Sequence, residues 1–87
     1  MHELSIVRDV VRRAEEIALA QRANRVVEVT LRQGQLSGLS ADVLRSHFAE
    51  AARGTVAEGA RLEVLPVDGI VDGASELTLV SVEVEVD

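Results

Sequence analysis

Met1 and His2 are the residues whose types and spacing offer coordination chemistry. With histidine second in the chain, three nitrogens can bind one ion in a single plane: the α-amine of Met1, the amide nitrogen of His2 once deprotonated, and Nδ1 of the His2 imidazole. They close a five-membered and a six-membered chelate ring. A nitrogen-rich tetragonal set suits Ni(II) or Cu(II) and disfavours Zn, which prefers a tetrahedron. The fourth position is open to the next amide, to a carboxylate such as Glu3, or to a partner's side chain. The bulk of His2 opposes removal of Met1, so the amine stays where the chelate needs it. Any chain beginning Met-His offers the same atoms, however, and by spacing alone a frayed end with a chance histidine is the simpler reading. The other histidine, His47, stands beside Phe48 in an apolar pattern and reads as an edge-of-core imidazole rather than a ligand.

Other chemistry is poorly supplied. No cysteine occurs, which excludes disulfides, thiolate catalysis, iron–sulfur clusters and Cys-rich zinc modules. No serine sits in a strand-turn-helix elbow with a base to activate it. Gly34-Gln35-Leu36-Ser37-Gly38 lacks the lysine and third glycine of a phosphate loop. These residues point away from an enzyme.

The elements that must position the N-terminus follow from periodicity. Val7, Val10, Val11, Ala14, Ile17 and Ala18 fall on one face of a helix predicted from Leu4 to about Ala23, with Asp9–Arg13 and Arg12–Glu16 spaced for ion pairs on the other. Val26–Arg32 alternates, placing Val27, Val29 and Leu31 on the covered face of a strand. Ser40 is a suitable N-cap for a second helix carrying Leu44, Phe48, Ala51 and Ala52, and Gly54 stops it. Thr55-Val56-Ala57-Glu58 has capping-box spacing, but Gly59 limits it to one turn. A second strand starts at Leu62 and ends near Pro66. A third runs from Leu77, with Val80, Val82, Val84 and Val86 alternating against Ser81, Glu83, Glu85 and Asp87. Asp68-Gly69 and Asp72-Gly73 supply turns between them. The order α-β-α-β-β implies an α/β (α+β) fold, with two helices on one face of a three-stranded mixed sheet. The first two strands are joined by a right-handed parallel crossover.

Eighty-seven residues suffice for a single domain, 1–87, and its core must be aliphatic: fifteen Val, eleven Ala and one aromatic, Phe48. A net charge of −6 without any lysine argues against nucleic acid as a partner. The charge is uneven. Residues 1–53 hold eight Arg and seven acids, whereas 54–87 hold one Arg and eight acids, either a solvated strand face or a surface for a basic partner. No apolar run is long enough for a membrane span and the N-terminus lacks signal-peptide order, so a cytoplasmic setting is expected.

Four blocks together carry a resemblance: Met1-His2-Glu3-Leu4-Ser5-Ile6; Leu31-Arg32-Gln33-Gly34-Gln35-Leu36-Ser37-Gly38; Gly54-Thr55-Val56-Ala57-Glu58-Gly59-Ala60; and Glu76-Leu77-Thr78-Leu79-Val80-Ser81-Val82-Glu83-Val84. In this order they resemble the HypA/HybF family of nickel metallochaperones for nickel–iron hydrogenase maturation, and sometimes for urease. The resemblance implies that Met1, His2 and Glu3 bind nickel, and that partners are a HypB-like GTPase or the hydrogenase large subunit. Two departures stand out. The family's zinc lobe, with two Cys-x-x-Cys pairs, is replaced by a short turn at 68–74, so no zinc is expected, and Gln35 stands where the family usually has Glu. Two functions from different classes follow. One is a nickel carrier. The other is a zinc-less interaction or scaffold module that docks on a hydrogenase-related protein without metal. A Val-rich strand edge also invites pairing with a second copy.

Overall fold

The computed structural model describes residues 3–33, 40–65 and 77–86. The elements come in the expected order: α1 (Glu3–Ala20), β1 (Arg25–Gln33), α2 (Ala41–Ala52), β2 (Arg61–Leu65) and β3 (Leu77–Glu85). The sheet order is β2-β1-β3, with β1 parallel to β2 and antiparallel to β3. Both helices pack on one face. Predictions for residues 34–39 and 66–76, including the Pro66 strand end and both Asp-Gly turns, lie outside the described residues.

The helical stripe of α1 is buried as its spacing requires, at Val7, Val10, Val11, Ala14 and Ala18, with Ile17 half-buried at its margin. The helix ends at Ala20, three residues before the predicted Ala23. Arg22 takes a left-handed conformation (φ 56°), Arg22 N–H donates to the Leu19 carbonyl and Ala23 N–H to that of Ala18. This is a Schellman closure with arginine where glycine is usual. On α1's exposed side, Asp9 takes both Arg12 and Arg13. The predicted Arg12–Glu16 pair is displaced because Arg12 bends back to Asp9.

Helix α2 begins as predicted: Ser40 Oγ accepts from Val43 N–H at 3.1 Å. It ends where Gly54 turns left-handed (φ 81°), and Thr55 Oγ1 donates to the Ala52 carbonyl at 2.8 Å. The turn that follows is closed by its own side chains. Thr55 Oγ1 accepts from Ala57 N–H, Glu58 Oε1 accepts from Gly54 N–H, and Gly59 (φ 83°) terminates it. Ala57 is thereby pressed into the core and the Val56 carbonyl accepts the Val26 N–H.

The sheet departs from simple alternation at two points. Val26 pairs with Val84 but Glu28 with Glu83, so Val27 is an extra residue on β1; Thr30 pairs with Ser81 but Leu31 with Leu79, so Val80 is an extra residue on β3. Each is a β-bulge, which reverses the face of everything beyond it. Val26 therefore joins Val29 and Leu31 in the core, and the expected core residue Val27 is only half-buried. Likewise Leu79, Val82 and Val84 face the helices, while Val80 and Val86, predicted on that same face, are exposed. The two insertions lie on opposite strands and cancel, so aliphatic rows form across the sheet: Val26 with Val84, Leu62 with Val29 and Val82, and Val64 with Leu31 and Leu79. Leu44, Phe48 and Ala52 of α2 complete the core, which holds no charged or polar residue among the described ones.

Candidate metal-carrying end

The topology gives the molecule two distinct ends. At one, Asn24 N–H donates to the Glu85 carbonyl and Val26 N–H to that of Val56, both at 2.8 Å, which gathers the start of β1, the close of β3 and the turn after α2. Only four residues separate α1 from β1, so the two run antiparallel. An 18-residue helix is about 27 Å long, which carries Glu3 to the opposite end. The last residues of β1 (Gln33) and β2 (Leu65), the first of β3 (Leu77), and the N-cap of α2 (Ser40) lie at that end too.

The predicted ligands thus belong to one end of the molecule. Met1 and His2 lie outside the described residues; Glu3 is the first residue of α1. His47, set apart as a non-ligand, is half-buried on α2. Among the described residues no three His, Asp or Glu side chains converge on one point. With no cysteine in the chain and two histidines on separate segments, the donors do not fit a four-ligand tetrahedral zinc site.

The other end carries a feature that periodicity did not reveal. A depression of about 250 Å³ is lined by Glu15, Ala18, Leu19, Ala23 and Val56, with Leu19 80% exposed. Leu19 stands one step off the buried stripe of α1, and only the ending of the helix at Ala20 leaves it uncovered. Asp9 is the acid whose titration the fold alters most clearly: the hydrogen bond from Arg12, with the charges of Arg12 and Arg13 behind it, holds its carboxyl below the ordinary aspartate range.

Comparison with known proteins fixes the lineage. Residues 1–84 match the family described as hydrogenase/urease nickel incorporation, metallochaperone, hypA. The chain belongs to the HypA family. The hydrogenase maturation factor HypA of Azotobacter chroococcum mcd 1 is 45% identical over 69 residues, covering 79% of this chain and 61% of that protein. The HypA of Chloroflexus aurantiacus is 43% identical over 82 residues, covering 91% of this chain and 72% of the relative. The chain thus spans about three fifths of the length of the Azotobacter relative and more of the Chloroflexus one. The solution structure of the Ni metallochaperone HypA from Helicobacter pylori superposes with a TM-score of 0.81 over the whole of both chains at 18% identity, which establishes a shared fold. The α-β-α-β-β order and the mixed sheet are therefore those of a HypA protein. No helix of the described residues is long and apolar enough to cross a membrane.

Proposed function

We propose that this HypA-family chain is a cytoplasmic nickel carrier rather than an enzyme. It takes up Ni(II) through Met1, His2 and Glu3 and passes it on during hydrogenase maturation. The observation that carries this reading is the family match over residues 1–84, which takes in Met1-His2-Glu3, combined with the absence of any other concentrated donor set among the described residues. The α-amine and the His2 imidazole supply the strong donors of a planar site, and Glu3, opening α1, anchors this segment to a rigid helix. A carrier must also release its cargo. A site made at the chain end, outside the packed core, can be opened by a partner without unfolding anything. The partners that suit this role are a HypB-like GTPase and the hydrogenase large subunit. No resident zinc is part of this function, because the chain has no thiolates to hold it.

The test is nickel binding by the untagged protein, followed by the weak yellow absorption of planar Ni(II) and by calorimetry. One residue added before Met1 moves the α-amine out of the chelate and should abolish the planar site. His2→Ala should do the same, while His47→Ala should bind like wild type. All three should keep the wild-type melting temperature, since none removes a core side chain. Binding should weaken as pH falls, because protons compete for the nitrogens. Equal nickel binding by the extended chain would place the ion elsewhere. No binding by the untagged chain would favour the metal-free scaffold reading instead.

A further inference from the structure

The two outer strands of the sheet are not equivalent. Strand β2 has five residues, and Arg45 of α2 donates from Nε to the Leu62 main-chain carbonyl at 3.1 Å. Strand β3 has nine, and its outer side pairs with nothing among the described residues. Alternate residues of an outer strand turn N–H and C=O away from their neighbour and can template a further strand.

Charge and side-chain alternation decide what fits there. Glu83 is exposed and lies directly across from Glu28, an arrangement of like charges that destabilises a sheet. The cation nearest that pair, Arg61, reaches Glu28 from β2 on the far side (Nε to Oε2, 3.6 Å), and no ion pair reaches Glu83 among the described residues. On the opposite face of β3, Val82 and Val84 pack half-buried against the core. A strand laid beside β3 would therefore meet carboxylate on the open face and aliphatic surface on the helix face, in alternation. The bulge at Val80 confines the regular stretch to the residues beyond it, starting at Ser81. A second copy fits poorly, because two β3 strands would bring four glutamates together.

We propose that the outer edge of β3, from Ser81 to Glu85, is a docking site for an extended basic segment of a partner protein, in which Lys or Arg alternates with aliphatic residues. A cation beside Glu83 would relieve the Glu28–Glu83 repulsion, so charge compensation and main-chain pairing act together. This site is independent of the nickel end and stands whether or not the chain carries metal.

The experiment uses the full chain, ¹⁵N-labelled, with a seven-residue peptide of alternating lysine and valine as probe and a glutamate–valine peptide as control. Fluorescence anisotropy should show the lysine peptide binding and the control not binding. Amide exchange should slow along residues 81–85 and stay unchanged along β2. Glu83→Lys should weaken the lysine peptide by at least about tenfold. Its melting temperature should hold or rise, because the substitution removes a like-charge pair, and this separates lost binding from lost fold. Equal affinity of E83K, protection away from β3, no binding at millimolar peptide, or self-association that protects β3 without peptide would each overturn the proposal.

Discussion

Arg22 occupies a backbone conformation that L-residues other than glycine enter at a cost of roughly 1–2 kcal/mol. Its side chain makes no hydrogen bond that would compensate, while its N–H closes the helix through the Leu19 carbonyl. Arg22→Gly keeps that bond and removes the steric cost, though glycine gives back part of the gain as unfolded-chain entropy. The substitution should stabilise the protein by about 0.5–1 kcal/mol, a rise of several degrees in a thermal melt for a chain this small. Asp9 tests electrostatics at the same scale. Its carboxyl titrates below its unfolded value because Arg12 and Arg13 favour the charged form. A depressed folded pKa contributes stability that is present above the unfolded pKa and disappears as pH falls through the folded one. Asp9→Asn should therefore matter slightly at neutral pH and not at all at pH 2, which denaturant titrations at the two pH values would measure. Both pairs are solvent-exposed, so the effect should shrink further in high salt.

At the scale of the element, the caps were readable and the register was not. Ser40 was recognisable because a serine before an apolar-periodic run has one local task, and its hydroxyl performs it at Val43 N–H. Ser40→Ala should cost about 1 kcal/mol, seen as a lower denaturation midpoint with an unchanged slope. The Thr55–Gly59 turn was equally legible, since Thr55, Glu58 and Gly59 act on backbone within a few residues of themselves. The bulges at Val27 and Val80 had no such signal. A run such as Val26-Val27 looks the same whichever valine faces inward, and the choice is made by the strand alongside. In the same way α1 was read three residues too long, because Gln21, Arg22 and Ala23 are compatible with a helix until Ala23 bonds back to Ala18.

Across the whole molecule, two leucines on helices have opposite fates. Leu44 is fully buried between α2 and the rest of the core, whereas Leu19 is 80% exposed beside the depression on α1. Leu44→Ala should cost about 2–5 kcal/mol, a large share of the total stability of a chain this size, while Leu19→Ala should stay within about 0.5 kcal/mol. Comparing the two melts checks the placement of the core. What the sequence determined by itself was whatever is encoded within a segment: the helical stripe, the caps, the order of elements, and the candidate chelate of Met1, His2 and Glu3. Those depend on bonds and angles a few residues apart, so they survive without knowledge of the neighbours. Only the tertiary structure decided which valines enter the core, that Glu28 faces Glu83, that β3 keeps an open edge, and that α1 delivers Glu3 to the end where β1 and β2 finish. Each of these is a relation between segments far apart in the chain, fixed by strand pairing and packing that no local pattern records.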